Sequence, residues 1–177
     1  MTPSLTAGAW LRILLWLVFL LGGLWLGIHL DWVLFPWALN SLAWHLTSAA
    51  VGGAVAWLMA RIARNTGRTL ARFGREGDLP RLETNRLVTS GPYGCMRHPM
   101  HLGLMLFPLA VALIAGSPGF LLIVAPLEIL VMVLLILTLE EREALAKFGD
   151  SYREYRRRVP AFNLRPACLR RLLQSPA

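Results

Sequence analysis

Charged residues leave long gaps in this chain. None falls between Ile13 and Leu30, between Trp32 and Ala60, or between Pro99 and Leu127. A further apolar stretch, Gly119 to Leu139, contains one acid, Glu128. A helix needs about 20 consecutive apolar residues to cross a bilayer. The pattern therefore predicts membrane helices at about 10–29, 40–60, 99–115 and 119–139. The breaker Gly116-Ser117-Pro118-Gly119 separates the last two. The third is short and contains Pro108, which predicts a kink or a tilt. The first is too long for a signal-peptide core, and no small-x-small site follows Leu26-Gly27-Ile28-His29, so it is expected to remain in the mature protein.

Between the apolar runs the periodicity changes. Arg61, Arg64, Arg68, Arg72 and Arg75 recur at helical spacing with Leu70 and Phe73 among them, which predicts a basic helix along the headgroups, broken at Asp78-Leu79-Pro80. After Leu139, the residues Leu145, Phe148, Tyr152, Tyr155 and Val159 fall on one face of an amphipathic helix that ends at Pro160. The stripe reads either as packing onto protein or membrane, or as the cover of a pocket. The expected organisation is one domain in four stretches: a two-helix scaffold (1–60), a basic connection with a motif loop (61–98), a helical hairpin (99–139), and an amphipathic helix with a basic tail (140–177). The fold class is an all-α integral membrane protein with four spans.

Composition agrees with that class. The hydrophobic fraction is 56% and the mean hydropathy +0.54, against roughly 45–50% apolar residues in soluble domains. The seven tryptophans all lie within residues 10–57, several near expected interfaces. With the N-terminus inside, the outer loops at about 30–39 and 116–118 lack Lys and Arg, and all 18 basic residues face the cytoplasm. That is the positive-inside pattern, with both termini cytoplasmic in an inner or cell membrane. The net charge of +8 is therefore topological first. Anionic headgroups suit the Arg-rich segments better than nucleic acid does, because those segments lie against the membrane helices. Cys95 and Cys168 both fall on the reducing side, which predicts free thiols.

Two polar segments stand where apolar runs meet water. The first is Leu87-Val88-Thr89-Ser90-Gly91-Pro92-Tyr93-Gly94-Cys95-Met96-Arg97-His98-Pro99-Met100-His101-Leu102-Gly103; the second is Glu140-Glu141. Gly91-Pro92 is turn chemistry, and Pro99 suits the first position of a helix with His98 as its cap. Such an N-terminus presents free N–H groups and favours a carboxylate. Gly103, one turn further in, permits close approach of a bulky group. Glu143 and Glu154 have Lys147 and Arg158 four residues on, so helical ion pairs account for them. Glu140 and Glu141 have no cation at those offsets, so their partner comes from another segment or a ligand. A ligand carrying a carboxylate and a cationic centre fits between the segments, and S-adenosylmethionine is one such molecule. His98 and His101 alone are too few for a metal site, so no metal is expected. Cys95 lacks the base a nucleophile requires, and no Gly-x-Gly-x-x-Gly marks a Rossmann domain. His29 and His45 read as packing or interface residues. Glu128, beside Pro126 in mid-span, is protonated or faces a polar cavity.

The order Arg97-His98-Pro99-Met100-His101-Leu102-Gly103, Glu140-Glu141, Phe148-Gly149-Asp150-Ser151-Tyr152-Arg153-Glu154-Tyr155 and Val159-Pro160 resembles the isoprenylcysteine carboxyl methyltransferase and phospholipid N-methyltransferase group of integral membrane enzymes. The lead-in Leu87-Val88-Thr89-Ser90-Gly91 is similar to that of isoprenylcysteine members. The resemblance covers about residues 85–162. It implies S-adenosylmethionine as cofactor, a lipid or lipidated small molecule as acceptor, and a cytoplasmic site built from the interhelical loop and the C-terminal helix. It implies that Leu87, Val88, Tyr93, His98, Pro99, His101 and Glu140 line the cofactor pocket. Glu141 would help hold cofactor or substrate, and Arg97 joins it as a catalytic candidate. Two departures stand out. His101 replaces a Tyr. The Arg that eukaryotic isoprenylcysteine enzymes carry one turn before the glutamates is absent, since that stretch here is Leu134-Leu135-Ile136-Leu137. Arg97 or Arg153 could substitute for it. The alternative readings are an NADPH-dependent enzyme similar to sterol C14-reductases, against which the Glu-Glu pair argues, and a non-enzymatic membrane protein that keeps the fold.

Overall fold

The computed structural model describes residues 7–80 and 82–174. Among these the chain is all helical: α1 (Ala7–Leu34), the short α2 (Pro36–Leu39), α3 (Leu42–Phe73), α4 (Pro99–Ala115), α5 (Ala125–Leu135), α6 (Glu141–Arg158) and α7 (Pro166–Leu173). Two π-helical turns, Phe120–Val124 and Ile136–Glu140, join α5 to its neighbours, so one long helical run, kinked at Gly149, extends from Phe120 to Arg158. Among the described residues three helices are long and apolar enough to cross a membrane: α1, α3 and the Phe120–Arg158 run. The fourth expected span, α4, has 17 residues and Pro108 inside it, and is shorter than these. Trp25, Trp32, Leu42, Leu46 and Trp57 are all more than half exposed, a surface suited to lipid and not to water.

The basic connection expected after residue 60 is not a separate element. α3 continues unbroken through Arg61, Arg64, Arg68 and Arg72 to Phe73. The onset of charge changes the solvent that the helix suits, and no Pro or paired Gly interrupts its hydrogen bonds there. The break comes at Gly74, whose carbonyl accepts from the Asn85 and Arg86 amides, ahead of the predicted Asp78-Leu79-Pro80.

The chain forms two compact units. One comprises Arg12–Ala60 and Leu104–Leu134. Its core holds Leu20, Ala112, Phe120, Val124 and Ala125, and glycines set its helix contacts. A Cβ on Gly27 would lie 2.7 Å from Phe120 Cα, and one on Gly52 would lie 2.7 Å from the Ile114 nitrogen. Only a hydrogen atom fits at those crossings. The buried Asp31 carboxylate accepts from the Gly119 amide at 2.6 Å, and the Trp44 indole donates to the Gly116 carbonyl at 2.9 Å. Together these polar contacts pin the turn at residues 116–119. The Glu128 carboxyl is buried against Gly23, and neither of its oxygens has a hydrogen-bond partner.

Among the described residues the other unit comprises Ala7–Leu11, Arg61–Gly103 and Leu135–Gln174. A Cβ on Gly103 would lie 3.4 Å from the Ile62 side chain. The space beside Gly103, expected to admit a ligand, is therefore taken by α3. Asn65 donates to the Leu172 carbonyl at 3.1 Å, seating α7 against α3. The free thiols predicted from the compartment are overturned. Cys95 and Cys168 are joined as a disulfide, with Cα atoms 5.7 Å apart, inside the range such bridges require. Redox environment says nothing about distance, and folding brings α7 onto the motif loop.

Candidate functional site

Local geometry begins with Gly91, whose φ of 58° lets the chain turn into the short 3-10 helix Gly91–Gly94. The loop is then clamped to the segment after α6. Arg97 and His98 donate their amides to the Pro160 and Ala161 carbonyls, Asn163 donates to the Cys95 carbonyl, and the buried Tyr155 hydroxyl donates to the Tyr93 carbonyl at 2.6 Å. Pro99 opens α4 directly after His98.

The face predicted for α6 is the inward one. Tyr152 and Tyr155 are buried, while Leu145, Phe148 and Val159 are partly so. Gly149 interrupts that helix with a φ of 56°, a kink the periodicity does not show.

Glu140 and Glu141 follow the apolar stretch and divide the work. Glu141 is buried. Its Oε1 accepts from Arg97 Nε at 2.9 Å and Tyr152 OH at 3.0 Å, and lies 2.7 Å from His98 Nε2. Its Oε2 makes no hydrogen bond but sits 3.4 Å from Arg156 Nε. Burial pushes the Glu141 carboxyl up, and the bonds from Arg97, His98 and Tyr152 outweigh it, holding the group below its ordinary range as a carboxylate. Burial likewise lowers His98 against the raising pull of Glu141, and lifts the Tyr152 hydroxyl to about 12 with help from the Glu141 charge. Arg97 also donates to the Val159 and Arg156 carbonyls. The positive partner that Glu141 lacks locally thus arrives from a segment 44 positions away.

Glu140 has a side chain 33% exposed, against 3% for Glu141, so a ligand can reach it. Its Oε1 lies 3.0 Å from His101 Nε2 and its Oε2 3.9 Å from His98 Nδ1. His98, His101 and Glu140 therefore converge, with one ligand atom each and all three within 4.8 Å of one another. The third member of that set comes from another helix, so sequence spacing alone could not supply it. Tyr93 is buried with its hydroxyl unpartnered, and burial raises that group. Val88 turns toward the end of α3, where a Cβ on Gly74 would lie 3.2 Å from its methyl group, and Leu87 is half-buried. An open depression of about 620 Å³ beside the loop is lined by Gly94, Cys95, Phe162 and Asn163, but not by the glutamates or histidines. The sequence reading placed Tyr152 only in the stripe that could cover a pocket, and it did not read Asn163 or Cys168 as parts of the site. Tyr152 carried a signal in its helical phase with Glu141; Asn163 and Cys168 carried none.

The profile of the phospholipid methyltransferase family matches residues 46–151. The chain belongs to this family. As a phospholipid methyltransferase family member it is an integral membrane protein of a methyltransferase group that includes the isoprenylcysteine enzymes. The match takes in most of α3, the motif loop, α4, α5 and both glutamates, and stops before Tyr152 and α7. Comparison with curated proteins and with solved structures returns no match.

Proposed function

We propose that this chain transfers a methyl group from S-adenosylmethionine to a lipid-like acceptor held in the bilayer. The observation that carries the reading is the reachable Glu140 carboxylate beside His98 and His101, where α4 begins. The donor set suits the cofactor. A carboxylate matches its cationic region, and the orphaned Tyr93 hydroxyl and the positive end of the α4 dipole match its carboxylate or adenine end. In this reading Leu87, Val88, Tyr93, His98, Pro99, His101 and Glu140 line the cofactor site.

When bound, the cofactor supplies an activated methyl group on a sulfonium. The chain's own contribution is orientation, exclusion of water and placement of charge, with no covalent intermediate. Glu141 and Arg97 act as positioning residues: they hold His98 and the loop in place, and Arg97 is already committed to Glu141 and two carbonyls. The proposed topology has four spans, with α4 as the short one and the site on the cytoplasmic side. The segregation of basic residues supports it.

The acceptor is proposed to be neutral or amine-bearing. No guanidinium stands in the turn before Glu140, and Arg153, the other candidate, pairs with Asp150 at the surface. A buried acceptor carboxylate would lack a partner. The test is a radiolabelled methyl-transfer assay in detergent, offering phosphatidylethanolamine and a prenylcysteine analogue side by side, with cofactor affinity measured in parallel. Glu140→Gln should weaken S-adenosylmethionine binding roughly ten- to hundredfold, the equivalent of about 1.5–3 kcal/mol. Unchanged affinity in a folded Glu140→Gln protein refutes the cofactor site. Methylation of the prenylcysteine analogue alone refutes the acceptor class.

A further inference from the structure

Glu141 prepares His98 for a second task. A carboxylate can only accept, so the 2.7 Å contact places the imidazole proton on Nε2 and leaves the lone pair on Nδ1. That lone pair faces Glu140 Oε2 at 3.9 Å, and His101 Nε2 lies 3.0 Å from Glu140 Oε1, to which it donates its proton when no metal is bound. The three residues offer one ligand atom each within 4.8 Å of one another, so a cation that displaces the His101 proton would meet two imidazole nitrogens and a carboxylate. A carboxylate on the far nitrogen of a histidine is also how proteins fix the tautomer of metal-binding imidazoles. The His98 side chain is only 9% exposed, so its orientation is held by the fold.

We propose that His98 Nδ1, His101 Nε2 and the Glu140 carboxylate form a binding site for a divalent cation of the zinc class. Zinc takes His and Glu ligands at about 2.0–2.2 Å in a tetrahedron, which sets ligand atoms about 3.4 Å apart. The ligand atoms of the three residues all lie within 4.8 Å of one another, so side-chain adjustments on the order of 1 Å bring them to that spacing. Two imidazoles select against magnesium and calcium, which prefer oxygen. The fourth position remains open. The site depends on His101, the position at which related enzymes are expected to carry Tyr, so it distinguishes this chain within its family. It draws on the side chains of the proposed cofactor pocket, but its existence does not require the methyl-transfer reading.

The experiment is a titration of the purified full-length protein, in detergent and without cofactor, with Co(II) followed by Zn(II). We expect the visible bands of low-coordinate Co(II), no thiolate charge-transfer band, and displacement by zinc. His101→Tyr and Glu140→Gln should each weaken Co(II) binding by roughly tenfold or more. His29→Gln, at an exposed histidine elsewhere, should leave it unchanged, with circular dichroism reporting the fold of each variant. A spectrum of six-coordinate aqueous cobalt only, a thiolate band, or equal affinity in a folded His101→Tyr protein overturns the site. Any of these leaves the cofactor reading standing, because that reading is judged by S-adenosylmethionine affinity.

Discussion

Replacing Glu141 by Gln removes one negative charge from the point where Arg97, His98 and Tyr152 converge. Their atoms lie 2.9, 2.7 and 3.0 Å from a single oxygen. The Arg97 and Glu141 side chains are 8% and 3% exposed, so water cannot take the place of the lost carboxylate. Breaking a buried ion pair by removing one partner costs about 3–5 kcal/mol. Glutamine keeps an accepting oxygen, which places the expected loss near the lower end, about 3 kcal/mol. Removing both charges in an Arg97→Met, Glu141→Met double variant should recover most of it, because no guanidinium is then left buried and unpaired. The assay is denaturant unfolding in micelles, followed by circular dichroism, on wild type, both single variants and the double. A loss below about 1 kcal/mol in Glu141→Gln, or a double variant as unstable as the two singles combined, would refute the role of Glu141 as the hub of this unit.

Other outcomes follow from the packing and the bridge. Gly27→Ala should destabilise by about 1–3 kcal/mol, since a Cβ there meets Phe120 backbone, whereas Gly22→Ala, with nothing within 4 Å, should be neutral in the same unfolding measurement. Cys168→Ser should cost about 2–4 kcal/mol for opening a bridge across 73 residues, and should abolish the sensitivity of the melting temperature to dithiothreitol. Alkylation of both thiols in freshly prepared membranes would contradict the bridge. Reporter fusions after Ala60 and after Pro166 should read cytoplasmic and one after Asp31 external. An external signal at Pro166 would place the glutamates on the wrong face for the proposed topology.

What the sequence revealed, and what it hid, divides along physical lines. α4 was legible to the residue because Pro99 starts it and the 116–119 breaker ends it, both backbone effects visible in residue type. The division of α3 into a span and a separate basic helix mistook a change of solvent for a change of backbone. The Gly149 kink stayed hidden because one glycine inside a regular stripe leaves the period intact. The glutamates announced themselves by lacking local cations, but only folding could say that Glu141 meets Arg97 and Tyr152 while Glu140 meets the histidines. The disulfide was missed because the argument concerned environment, and the pairing is a matter of distance.

The separation of Arg97 from Glu141 also orders events during synthesis. Ribosomes add about 5–20 residues per second, so 44 positions correspond to about 2–9 s in which Arg97 has no carboxylate to meet. Within that interval α4 and α5 emerge, and in the proposed four-span topology both enter the bilayer. A guanidinium hydrated throughout that delay resists being drawn in after them and holds the start of α4 at the water's edge. Only when Glu141 follows does the same charge exchange its water shell for a carboxylate. In that topology Arg97 would serve first as an anchor for insertion and then as the partner of Glu141 in the finished loop, two tasks separated in time by the length of a helical hairpin.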